Sequence, residues 1–301
     1  MKEKAAYFTR RQHQNNRDGI LFLLPALISY TLFIAAPIIM ALGLVFLNYN
    51  LVSPPKFIGF NNIKRLLIDS QFTQVLGNTL KFFFILTPIH CILALGFAYA
   101  VYSIRVSRVR SVIRNIIYFP TIVTTASVAY VWRYMFGTDT GFINYYIRSL
   151  GFNNIPWMTD PAMIYVTIAL FSMWKFIGTT FLYYFVGLQN IPSTYHEAAI
   201  IDGAGKFQTF FRITLPLLSP TIFFVFVTNM IGVFQIFNEP FLIASNNPVV
   251  RTLALHIYLN AFDNMRIGYA SVLAVIMLAI ILTITAIQFS VQKRWVNYDY
   301  E

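Results

Sequence analysis

Apolar residues in this chain fall in long unbroken runs, not at every second position or at every third and fourth. Six runs stand out, at roughly 20–47, 78–102, 112–136, 162–188, 217–243 and 269–290. Each is long enough to cross a bilayer's hydrocarbon core, which takes about 20 residues of helix. Backbone amides and carbonyls find no water in lipid, so runs of this length are predicted to be helices. A membrane barrel would show alternating segments of about ten residues, and the sequence has none. The pattern predicts an all-α membrane protein with six transmembrane helices. The second, third and fourth runs each contain a Lys or Arg. Pro25, Pro37, Pro88 and Pro120 lie inside runs, where helices tolerate them if neighbours satisfy the freed carbonyls.

The polar segments divide the chain further. Residues 1–18 form a basic N-terminal arm, 19–292 the membrane domain, and 293–301 a C-terminal tail. Pro54 and Pro55 open an outer loop of about 30 residues, and turn-forming residues mark the loops 137–161 and 244–268. The first apolar run is about twice the length of a signal peptide's core and lacks a small-residue cleavage site, so it is read as a retained span.

Composition agrees with this reading. Apolar residues make up 57% of the chain and charged residues 11%, with mean hydropathy +0.63, whereas soluble domains carry about a quarter charged residues. The net charge of +11 invites a nucleic-acid reading, but its distribution opposes one. With the N-terminus inside, the inner segments hold Lys2, Lys4, Arg10, Arg11, Arg17, Arg105, Arg108, Arg110, Arg114, Lys206, Arg212, Lys293 and Arg294. The outer segments hold Lys56, Lys64, Arg65, Lys81, Arg133, Arg148, Arg251 and Arg266, and Lys175 lies within a span. The excess follows the positive-inside rule and makes both termini cytoplasmic, in a cell (inner or plasma) membrane. Nucleic acid is not an expected partner. The single cysteine, Cys91, allows neither an intrachain disulfide nor a multi-cysteine metal site.

The inner segment 193–216 is more ordered than a connector needs to be. Pro192 ends the preceding run, and Thr194 with Glu197 matches a capping box that starts a helix. Ala198 and Ala199 give that helix a small-sided face. Gly203 and Gly205 are expected to break it. An amphipathic piece follows from Lys206, with Ile213 and Leu215 on its apolar side, and Pro216 favours a turn or a fresh helix start. The expectation is helix, turn, helix at the cytoplasmic surface, built to be gripped by another protein.

The spacing Glu197-Ala198-Ala199, three residues, Gly203, nine residues, Ile213, one residue, Leu215-Pro216 resembles the EAA loop of ABC importer permease subunits. The longer strings GLQNIP, EAAIIDGA and RITLPLLSP resemble the carbohydrate-uptake, maltose-permease-like branch, as do LFLLPALISYTLF, FIGFNNI and NTLKF near the start and IYLNAFDNMRIGYASVLAV near the end. The resemblance covers residues 19 to 290. It implies that the loop is a coupling helix between the fourth and fifth spans, docked on a cytoplasmic ATPase through Glu197, Ala198, Ala199, Asp202, Gly203, Ile213, Leu215 and Pro216. It also implies two ATPase subunits holding Mg-ATP, a second related permease as heterodimer partner (a homodimer is the alternative), an extracellular solute-binding protein and a carbohydrate substrate. One departure is visible: the family often has Gly-Gly-Pro after the fifth span, and this chain has Ser245-Asn246-Asn247-Pro248.

No catalytic site is expected on the chain. The string GAGK at 203–206 fails as a P-loop, because Ile200 stands at the first glycine's place and Phe207 at the hydroxyl's. ATP hydrolysis therefore belongs to a separate subunit, and no cofactor is expected here. Thr228, Gly232, Gln235 and Glu239 share one helical face, with Asn238 beside it, and Ser172, Lys175, Thr179 and Tyr183 share another, with Trp174 adjacent. Amides, carboxylates, hydroxyls and aromatic faces suit a sugar path. Trp174, Lys175, Thr179, Tyr183, Gln235, Asn238 and Glu239 are the candidates, against the plainer reading of interhelical packing. Lys175 must face water, a partner subunit or a carboxylate, and Glu239, expected nearer the outer face, suits it poorly. A secondary transporter would need further intramembrane acids, and a membrane-embedded enzyme would need a motif that the sequence lacks. His90 is read as a packed helix histidine.

Overall fold

A computed structural model describes residues 19–244 and 247–297. The N-terminal arm, Ser245 and Asn246, and the end of the tail lie outside the described residues. These divide into two compact units, residues 19–68 with 260–275 and residues 69–259 with 276–297.

The first unit opens with α1 (Gly19–Leu44), a candidate span. A wide π-type turn at Thr31–Ala35 precedes Pro37, so the helix absorbs the missing amide by loosening one turn. A short antiparallel ribbon pairs β1 (Leu47–Asn48) with β2 (Lys56–Phe57), and α2 (Asn61–Ile68) follows. The Asn62 amide donates to the carbonyls of Val45 and Leu47, both at 2.9 Å. The ribbon and α2 occupy the long loop after α1, which the apolar pattern leaves without elements.

The second unit is built on two long helices, α3 (Ser70–Tyr102) and α7 (Pro161–Gln189). Each begins on an aspartate cap. Asp69 accepts from the Gln71 amide, and Asp160 accepts from the amides of Ala162 and Met163, satisfying donors that a helix start leaves unpaired. α3 starts eight residues earlier than the apolar run, because its first two turns are polar. Ala94 and Ala98, fully buried one turn apart on α3, let Phe181, Tyr184, Phe185 and Leu188 of α7 pack closely.

The third run is not one helix. α4 (Ser107–Ile122) and α5 (Thr125–Met135) meet at 93°. Among the described residues, five helices are long and apolar enough to cross a membrane, or six if this bent pair is one span. Lys175 explains the break. Its ammonium is buried and donates to the carbonyls of Pro120 (2.7 Å), Thr121 (3.0 Å) and Val123. These are acceptors left free where α4 ends, and a cation there also meets the negative end of the helix dipole. The expectation that Lys175 faces water, a partner or a carboxylate is therefore corrected: its ligands are backbone carbonyls of its own chain. Glu239 acts on it only through space. Gly178, one turn further along α7, lies against α4, where a side chain would meet the Ile117 carbonyl and the Thr121 hydroxyl at 2.7 Å.

Beyond α5, α6 (Phe142–Ser149) fills part of the 137–161 loop. The fifth run is also interrupted. α10 (Ser219–Phe234) stops, and α11 (Asn238–Leu242) restarts after three residues. A short helix, α12 (Leu253–Tyr258), is capped by the Thr252 hydroxyl. α13 (Ile267–Gln292) is the last span. Its residues Ile281 and Ile284, in the second unit, pack on Met230 and Phe234 of α10.

Candidate functional site

The segment 193–217 follows α7 directly. α8 (Ser193–Ile201) begins on Pro192 with no side-chain cap. The expected capping box does not form, because Thr194 already has helical geometry in the first turn, and its hydroxyl is not the cap. The end of α8 is closed instead. Gly203 has φ +75°, its amide donates to the Ile200 carbonyl at 3.1 Å, and the Ala204 amide donates to the Ala199 carbonyl at 2.9 Å. This is a Schellman ending, which needs a left-handed residue in the Gly203 position. α9 starts at Lys206–Thr209, widens into a π-type turn at Phe210–Thr214 and continues through Leu215–Leu217. The wide turn lies just before Pro216, as the one in α1 lies before Pro37.

Of the small pair, Ala199 is buried inside the chain while Ala198 is exposed. The outward face therefore carries Glu197, Ala198, Ile200, Ile201 and Asp202, with Phe207 beyond the turn. Ile213, Leu215 and Pro216 are half-buried and back the elbow rather than form its tip. The Thr214 hydroxyl and the His196 Nε2 meet at 3.3 Å and tie the two helices together.

A cavity of about 430 Å³ opens between α3, α7 and the α10–α11 break. α7 contributes Ser172, Phe176, Thr179, Thr180 and Tyr183, and α3 contributes Leu86 and His90. The broken helix contributes Thr228, Asn229, Gly232, Gln235, Phe237, Asn238 and Glu239. The polar residues of the fifth run do not share one continuous helical face, since α10 ends at Phe234. The break nevertheless turns Gln235, Asn238 and Glu239 toward the same space.

Five of the sequence candidates meet here: Thr179, Tyr183, Gln235, Asn238 and Glu239. Trp174 and Lys175 are not among the cavity walls. Trp174 packs against Trp132, with ring centroids 5.6 Å apart, and Lys175 is committed to α4. Sequence reasoning missed Asn229, which bonds to the Thr180 hydroxyl at 3.3 Å and faces His90 Nδ1 at 3.4 Å. An amide in mid-span was the available signal. Phe176 and Phe237 add ring faces. The Ser172 hydroxyl is buried in the wall without a protein partner. The cavity is thus a hydrogen-bonding, aromatic-walled space with one carboxylate.

Residues 92–297 match the family described as binding-protein-dependent transport system inner membrane component. The chain is 36% identical to the probable ABC transporter permease protein YesP of Bacillus subtilis (strain 168), over 97% of this chain and 95% of that protein. It is 32% identical to the sulfoquinovosyl glycerol transport system permease protein SmoG of Agrobacterium fabrum (strain C58), over 89% and 88%. Its fold is similar to that in the crystal structure of a bacterial alginate ABC transporter in complex with an alginate pentasaccharide-bound periplasmic protein. There the TM-score is 0.80 at 22% identity, covering 94% of this chain and 96% of that one.

Proposed function

This chain belongs to the family of binding-protein-dependent transport system inner membrane components, and from that premise we propose that it forms half of the path by which an ATP-driven importer takes up a carbohydrate. It is a permease subunit. Membership in a binding-protein-dependent family favours this reading over an ion-coupled secondary transporter.

One observation carries the substrate class. The wall of the α3, α7 and α10–α11 cavity combines amides, hydroxyls and a carboxylate with the rings of Phe176 and Phe237. A sugar presents a rim of hydroxyls and two less polar faces, and such a wall satisfies both. The transporters named for sulfoquinovosyl glycerol and alginate support the same class. Thr179, Tyr183, Gln235, Asn238 and Glu239 line the path in this reading.

The energy enters through α8. Glu197, Ala198, Ile200, Ile201 and Asp202 present an exposed, partly apolar face suited to a cleft on a separate ATPase subunit that holds Mg-ATP. The Schellman turn at Gly203 fixes the angle of that face to the bundle. Two ATPase subunits, a second related permease and an extracellular binding protein complete the assembly, with both termini of this chain cytoplasmic.

The test is uptake of labelled oligosaccharides into proteoliposomes holding the assembled transporter. Accumulation is expected only with binding protein outside and ATP inside. Accumulation driven by an ion gradient without ATP overturns the proposal.

A further inference from the structure

The helix α6, on the loop between the bent pair and α7, has its polarity inverted. Phe142, Tyr145, Tyr146 and Leu150, at helical spacings of three, one and four, are each more than half exposed, as is Phe152 just beyond. They occupy one face. The opposite face holds Asn144, fully buried and fully bonded. Its amide donates to the carbonyls of Thr138 and Ile155, and its oxygen accepts from the Ile155 amide and the Trp157 indole. A polar hub inside and a ring cluster outside would expose a large apolar patch to water.

The outward rings form one cluster: Phe142 and Tyr146 have centroids 4.8 Å apart, and Tyr145 and Tyr146 5.5 Å. Gly151, at φ +85°, ends the helix. The Phe152 amide donates back to the Ile147 carbonyl, which brings Phe152 alongside the cluster. Segment 142–152 carries no acidic residue, and its one charge is Arg148.

Position supplies the occupant. Six residues separate α6 from α5, and they fold on themselves, with the Gly141 amide donating to the Gly137 carbonyl at 3.1 Å. α6 is tied to the start of α7, a candidate span: Asn144 bonds to Ile155 and Trp157, and the Thr167 hydroxyl of α7 donates to the Trp157 carbonyl at 3.1 Å. α6 sits at the end of α7 opposite the EAA elbow, about 43 Å of helix away. Amphipathic helices rich in Tyr and Phe settle at this depth, with rings at the headgroup level and a basic side chain beside them.

We propose that α6 lies flat in the phospholipid headgroup layer of the leaflet opposite the elbow. Phe142, Tyr145, Tyr146 and Leu150 face lipid, and Asn144 ties the 137–157 loop to this anchor. The ring cluster holds the outer loop at a fixed depth while the bundle moves.

Nitroxide labels test this on the assembled transporter in nanodiscs, in a Cys91→Ala background, at Tyr145→Cys on the ring face and at Arg148→Cys off it. Collision rates with oxygen and with a water-soluble nickel chelate report depth. The expected result is an oxygen-to-nickel ratio several-fold higher at Tyr145→Cys than at Arg148→Cys, unchanged by the binding protein. Three results overturn the proposal: equal ratios at both sites, a ring-face label that meets nickel freely until binding protein is added, or one shielded from both reagents by a neighbouring subunit. Labels at both sites are surface substitutions, and assembly by size-exclusion chromatography confirms an intact complex.

Discussion

Lys175 Nζ lies 2.7 Å from the Pro120 carbonyl oxygen, across fifty-five residues of sequence. The Thr121 and Val123 carbonyls complete its shell, so one ammonium with three donors closes a helix end inside the bundle. Hydrogen bonds to charged groups contribute about 1.5–3 kcal/mol each, offset by the cost of burying the charge. Lys175→Met is expected to destabilise the protein by about 2–4 kcal/mol. Trp132 and Trp174 report on the neighbourhood by fluorescence during thermal unfolding in nanodiscs. An unchanged midpoint would show that the α4–α5 break holds without the ammonium.

Gly203 gives a sharper test of the elbow. An added Cβ would meet nothing within 4 Å, yet φ is +75°. Substitution there costs conformational strain alone, about 1–2 kcal/mol for an ordinary residue. Asn tolerates this conformation better than most. Gly203→Asn is expected to keep most ATP-driven uptake, Gly203→Ala to lower it, and Gly203→Trp to abolish it, all at normal membrane abundance. Normal uptake in Gly203→Trp would count against ATPase docking at this loop.

Glu239 tests the cavity. Glu239→Gln keeps the shape and replaces the carboxyl group by an amide. On the proposed path, losing the carboxyl's hydrogen bond to a substrate hydroxyl is expected to lower carbohydrate uptake roughly tenfold, or about 1.4 kcal/mol, with membrane abundance unchanged. Unaltered uptake would place the path elsewhere.

Which features were legible in the sequence follows from what a run of residues encodes. Length and hydropathy gave α1, α3, α7 and α13 within a few residues at most ends, because lipid permits no other use of such runs. The Gly203 turn was readable because few residues tolerate its backbone. The α4–α5 bend was not, since its cause, Lys175, sits about fifty residues downstream, and only the packing of α7 on α4 brings ammonium to carbonyls. The break after Phe234 is equally hidden, so the polar stripe of the fifth run reads as one face in the sequence. The capping box failed because a short motif fixes no register: Pro192 started α8 one residue before Thr194. α2 and α6 are not legible as spans because a helix of eight residues is too short to register as one.

A last prediction concerns pH at the loop between α11 and α13. His256, on α12, is buried, and its Nε2 lies 3.9 Å from the Asp69 carboxylate. Burial holds its pKa below the ordinary 6.5, Asp69 opposes that shift, and the Arg251 charge adds to it. The unfolded chain therefore binds this proton more readily than the folded one, so stability is fully present above about pH 6.5 and declines as pH falls through the folded value. Melting midpoints measured from pH 8 down to 5 are expected to fall less in His256→Gln than in the parent. Asp69→Asn removes the opposing charge, lowers the folded value further and should extend the decline to lower pH. Parallel curves for the parent and His256→Gln would show that this histidine does not set the acid limit.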